Sequence, residues 1–119
     1  MEKILLIHGD DTTERKVRNI ASRLKMNMAR LERPDGSCCL EDLAQGRTIP
    51  EGDSESTEPS LLLFCGLREK RLDKVLFELR REEVTVDYKA VLTSTNRTWT
   101  LQHLYLELQR EKDAITRKS

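Results

Sequence analysis

Aromatic residues are scarce in this chain of 119 residues: two Phe, two Tyr and one Trp make up 4% of it. So few rings leave no stacking platform for single-stranded nucleic acid. Net charge is missing too, since 21 basic side chains balance 21 acidic ones. No global field therefore steers the protein towards nucleic acid or an anionic membrane. No apolar run approaches the roughly 20 residues that span a bilayer, and the apolar stretch at the start is too short for a signal peptide. These absences predict a cytoplasmic protein with no nucleic-acid or membrane partner. Cysteine is limited to three residues, with Cys38 and Cys39 adjacent, an odd count that argues against a disulfide framework. No Cys-x-x-Cys or His-x-x-x-His pair supplies metal ligands at short spacing, so no metal is expected. The Gly-rich phosphate loop, the dinucleotide fingerprint G-x-G-x-x-G and the hydrolase elbow G-x-S-x-G are all missing, and no cofactor is expected.

What is present is grouped. Ile4-Leu5-Leu6-Ile7 is a continuous apolar run closed by His8-Gly9-Asp10-Asp11, the pattern of a strand covered on both faces and ended by a turn. Val17, Ile20, Ala21 and Leu24 then recur at helical spacing, which predicts a helix over 13–25. Asp11 with Glu14 three residues later resembles a capping box at its start. Residues 26–31 form a weaker second strand, ended by Pro34-Asp35-Gly36. A short helical turn fits 40–44, stopped by Gly46. Residues 51–59 contain no large apolar side chain, so an acidic loop at about 47–59 is expected to be mobile.

Order returns with Leu61-Leu62-Leu63-Phe64-Cys65-Gly66, a second doubly covered strand. Leu72, Val75, Leu76 and Leu79 repeat the helical stripe, Tyr88-Lys89-Ala90-Val91-Leu92 reads as a fourth strand, and Leu101, Leu104, Tyr105 and Leu108 mark a last helix. The alternation predicts one α/β domain over 1–119. Its expected form is a three-layer sandwich with a four-stranded, mostly parallel sheet in the order two-one-three-four and helices on both faces. A ferredoxin-like α+β fold is the alternative, because two β-α-β units also describe it.

The second half carries a resemblance. Leu61-Leu62-Leu63-Phe64-Cys65-Gly66, then Arg71-Leu72-Asp73, then Lys89-Ala90-Val91-Leu92-Thr93-Ser94-Thr95-Asn96 with Trp99, and finally Leu104-Tyr105-Leu106-Glu107-Leu108 resemble the bacterial family known as domain of unknown function 3783. The likeness is strongest over 61–108. Relatives usually end the last strand Thr-Pro-Thr-Asn, so Ser94 departs from the pattern and removes a rigid turn residue. The resemblance implies a bacterial origin and the same domain boundaries, and it brings no activity with it.

In open α/β sheets ligands gather beyond the carboxyl ends of the strands. That rule directs attention to His8, Gly9 and Asp10, to Cys65 and Gly66, and to Thr93, Ser94, Thr95 and Asn96. Hydroxyls and an amide ahead of a helix can hold an anion beside its free N–H groups; Asn96 or Thr98 can equally serve as that helix's cap. The candidate ligand set is Thr93, Ser94, Thr95, Asn96, Asp10 and Gly66. Cys65 and His8 are the candidates for a thiolate–imidazole pair, although a cysteine that closes an apolar strand commonly serves as a small buried hydrophobe. Trp99 is expected in the first turn of the last helix, covering the core edge. Three functional readings follow: a binding module for a small anion or a partner protein, a cysteine-dependent enzyme, or a structural homodimer unit using an apolar patch around Tyr105, Leu106 or Phe77.

Overall fold

A computed structural model describes residues 2–31, 38–46 and 60–118, with side chains as far as Arg110. The acidic loop expected at about 47–59 lies outside the described residues. Strand β1 (Lys3–Ile7) leads into helix α1 (Asp11–Arg23) and strand β2 (Asn27–Leu31), and then into the short helix α2 (Leu40–Gln45). Strand β3 (Leu61–Cys65), helix α3 (Glu69–Arg81), strand β4 (Tyr88–Val91) and helix α4 (Leu101–Lys118) follow.

The four strands form one sheet in the order β2-β1-β3-β4, as expected. Alternation along the two central strands separates two cores. Ile4, Leu6, Leu62 and Phe64 meet the apolar stripes of α1 and α3, including Val17, Ile20, Val75 and Leu79. Leu5, Ile7, Leu61, Leu63 and Cys65 face the other way, against Leu40 and Leu43 of α2 and Leu101, Leu104 and Tyr105 of α4. Helices therefore cover both faces, and all five β3 residues are buried.

Strand direction differs from the expectation at one place. β1 pairs with β2 and β3 with β4 in parallel, but the central pair β1–β3 is antiparallel. An unbroken apolar run signals two covered faces and carries no information about direction. The path of the chain decides it. The end of α2 lies beside the start of β1, where Lys3 Nζ donates to the Ala44 carbonyl at 3.2 Å. The chain re-enters the sheet through Ser60, at the end of β1, since Leu61 pairs with Ile7. The parallel outer pairs also set the sheet apart from the ferredoxin-like alternative.

The two halves correspond in register. Lys3 and Leu61 open equivalent strands 58 positions apart, and the same offset relates α1 to α3, each of 13 residues. It also relates two pairs of left-handed residues, His8 (φ 56°) to Gly66 (φ 72°) and Lys25 (φ 59°) to Glu83 (φ 56°). The returns after the helices match too: Met26 N–H donates to Ala21 O at 2.8 Å, and Val84 N–H to Leu79 O at 2.9 Å. With three more residues before β4, Asn27 corresponds to Tyr88, each paired with the first residue of its central strand. Leu40 and Leu101 then open equivalent helices. An internal two-fold axis passes between Leu5 and Leu63, which pair with each other. On the covering face it passes between Cys39 and Thr100, which form a bridge. The flanking bonds are a matched pair: Leu40 N–H to Trp99 O and Leu101 N–H to Cys38 O, both 2.9 Å.

Candidate functional site

The antiparallel centre divides the sequence candidates between opposite ends of the sheet. Cys65 pairs with Lys3, whereas His8 follows Ile7, the partner of Leu61. Five residues of strand, about 16 Å, lie between them. The postulated thiolate–imidazole pair is therefore not assembled. Cys65 is also buried, and burial pushes its thiol up to about 11 despite the opposing pull of Lys3, so it stays protonated at neutral pH.

Asp10 shares the His8 end and leaves the ligand set. It caps α1, its carboxylate accepting from Thr13 N–H at 2.7 Å. This cap stands one residue ahead of the capping box expected from Asp11 and Glu14, which instead form ion pairs with Arg30. Gly66 lies at the other end, and β4, parallel to β3, brings Thr93, Ser94, Thr95 and Asn96 to that same end.

These four residues form a self-bonded turn. Asn96 Oδ1 accepts from Thr93 N–H at 2.8 Å, Thr93 Oγ1 accepts from Asn96 N–H at 3.2 Å, and Asn96 Nδ2 donates to the Val91 carbonyl at 2.9 Å. Asn96 is buried, while Thr93, Ser94 and Thr95 are exposed. Asn96 thus holds the turn and not the helix. The first turn of α4 is bonded through Thr100, whose Oγ1 accepts from His103 N–H at 3.1 Å. Trp99 sits just before α4, half-buried and stacked on His103 with centroids 4.3 Å apart. Of the patch postulated for a homodimer, Phe77 and Leu106 are exposed, but Tyr105 is buried.

Between the start of β1, the end of β3 and α2 opens a pocket of about 500 Å³ lined by Lys3, Asn27, Glu41, Ala44, Gln45, Cys65, Gly66, Leu92 and Arg97. Of these only Cys65 and Gly66 stand out in the sequence as candidates. A rule that looks only at carboxyl ends of strands passes over Lys3, which reaches this end because β1 begins where β3 finishes. Lys3 and Arg97 supply two cations, Glu41 one anion. A second recess, about 390 Å³, lies against β4 and is mainly apolar, with Leu72, Leu76, Val91 and Leu108 in its walls.

The internal two-fold shows how the pocket beside Lys3 arises. Its counterpart at the His8 end is filled by rings: Tyr105 is 8% exposed, 6.2 Å from His8 and 6.3 Å from Tyr88 between centroids. The equivalent positions at the pocket end are Ala44, Gly66 and Asn27.

Arg71, one of the residues in the family resemblance, lies away from this pocket. It donates twice to the Glu2 carboxylate at 2.8 Å, bonding α3 to the residue ahead of β1, and this hydrogen-bonded fork holds the Glu2 carboxyl below its ordinary range. Its contacts tie the second half to the first.

No curated protein and no solved structure matches the chain significantly. Residues 60–115, which begin at β3 and run into α4, match the family described as Domain of unknown function (DUF3783), in agreement with the resemblance seen in the sequence.

Proposed function

We propose that the protein is a small binding module that holds an anionic ligand in the strand-end pocket. The observation that carries this reading is the Lys3 ammonium on the pocket wall, with Arg97 as a second cation and Glu41 as the one acidic residue among the lining side chains. An ammonium has three donors. One is engaged by Ala44 O, and among the described residues the others remain for an oxyanion. The recess is half open, so Lys3 is partly shielded from water, and an ion pair gains strength where water is partly excluded. None of the three cysteines, Cys38, Cys39 and Cys65, is joined in a disulfide, which suits a reducing compartment, and we take the bacterial cytoplasm as the site of this activity, which fractionation of cells would check.

The test is thermal melting of the full chain with inorganic phosphate and with acetate. A ligand that binds only the folded state raises stability by about 2.7 kcal/mol at a hundred times its Kd. The melting temperature should rise with anion concentration, and Lys3→Gln should remove most of the rise. An equal rise in Lys3→Gln, or none in the unmutated chain, would overturn the reading.

A further inference from the structure

We infer that the ligand is a ring acid, a flat aromatic group carrying a carboxylate, and this inference rests on the anion pocket described above. The internal two-fold supplies a second copy of the same backbone shell, and in that copy the contents are visible. His8 and Gly66 share the left-handed conformation, and Asn27 and Tyr88 hold the same place beside their central strands. Ala44 and Tyr105 each follow the buried leucine of their helix, Leu43 and Leu104. Around one shell the chain places two tyrosines and a histidine, in contact as rings. Around the other it places an alanine, an asparagine and a glycine, and a pocket of about 500 Å³ results.

Loss of one ring could follow from local repacking. Absence of all three, on three different elements, leaves open the space that rings fill at the other end. The floor remains apolar, with Cys65 and Leu92 where the filled end has Ile7 and Leu31. One wall changes in kind: Lys3 stands where the filled end has Leu61. A ring placed in the gap would recover the apolar burial that Tyr105 provides at the other end, and its carboxylate would meet the ammonium. Apolar walls with a few placed polar groups are the usual composition of a small-molecule site.

The experiment is an NMR titration of the full, isotope-labelled chain with benzoate, acetate and inorganic phosphate. Benzoate should bind at least about tenfold more tightly than acetate, as burial of a ring requires, and should shift Ala44, Cys65 and Gly66 most. Ala44→Tyr, which restores the ring of the other half, should weaken benzoate by about the same factor. Should Ala44→Tyr fail to fold, Asn27→Tyr, at the exposed first position of edge strand β2, serves the same purpose. If benzoate is no tighter than acetate while both depend on Lys3, the ring inference falls and the anion pocket stands. Undiminished benzoate binding in the ring-restoring variant also removes the ring inference. Benzoate binding that ignores Lys3→Gln removes the anion reading, and failure of all three probes removes both.

Discussion

The two ends of the sheet share one backbone and differ in content. At the His8 end three rings close the space above the sheet; at the Gly66 end smaller residues leave it open and Lys3 borders it. Elsewhere the halves agree at part of the core, although buried Ile20 and Leu24 correspond to Glu78 and Glu82. Val17 matches Val75, Ala21 matches Leu79 and Met26 matches Val84, all buried. The coincident positions hold the layers together in both halves, and the positions that break the two-fold show where one half departs from the other. A symmetric fold thus provides its own control: each departure can be compared with the same place in the other half.

The sharpest test of that comparison is at the axis. Leu5 and Leu63 face each other across the central pair, both wholly buried. Leu5→Ala and Leu63→Ala should each cost about 2–5 kcal/mol in chemical denaturation, through lost burial and the cavity left behind. Because they are neighbours in one cluster, the double variant should depart from the sum of the two by roughly 0.5 kcal/mol or more. A costly Leu63→Ala beside a nearly neutral Leu5→Ala would break the equivalence of the halves.

The next effect is smaller and belongs to the turn after β4. Asn96→Ala removes a buried side chain that bonds Thr93 N–H and Val91 O, so it should destabilise the protein by about 1–3 kcal/mol. Ser94→Ala, at an exposed position of the same turn, should stay within about 0.5 kcal/mol. Equal effects from the two would show that the hydrogen bonds of Asn96 do not hold the turn.

Much of this architecture is legible in the amino-acid sequence alone. The runs Ile4 to Ile7 and Leu61 to Phe64 mark central strands, because only a doubly covered strand can dispense with polar alternation, and the stripe Leu72, Val75, Leu76 and Leu79 marks a helix with one buried side. Strand order follows from those two runs. The antiparallel centre does not, since direction depends on where the chain re-enters the sheet, which no local pattern records. The candidate site is legible only in part for the same reason. Cys65 and Gly66 stand at the end of an apolar run and attract attention there, but Lys3, an ordinary charged residue at the start of a strand, gains its role only from the antiparallel register. The repeat is also hidden at the level of residue identity. Its constraints are burial and left-handed backbone, and pairs such as His8 with Gly66 or Ala21 with Leu79 satisfy those constraints without looking alike.

The smallest predicted effect concerns the helix starts, where the halves differ in the capping side chain. Asp10 caps α1, while the equivalent Arg68 begins α3 with no side-chain cap. Arg68→Asp should therefore stabilise the protein by roughly 0.5–1 kcal/mol, a carboxylate serving there as both acceptor and favourable charge at the helix start. The pH dependence tests whether the ionised carboxylate is what stabilises the helix start. Hydrogen bonding from Thr13 holds the Asp10 carboxyl below its ordinary value. A carboxyl whose folded-state pKa is lowered stabilises the fold above its unfolded-state pKa of about 3.9, and that contribution disappears as pH falls through the lowered value. Asp10→Ala should accordingly melt below the unmutated protein at pH 7, with the gap closing under about pH 4. Arg68→Asp should show the mirror image, a gain at pH 7 that fades over the same range. A gap for Asp10→Ala that persists unchanged into strong acid would mean that the carboxylate is not what starts α1, and the contrast between the two helix starts would lose its cause.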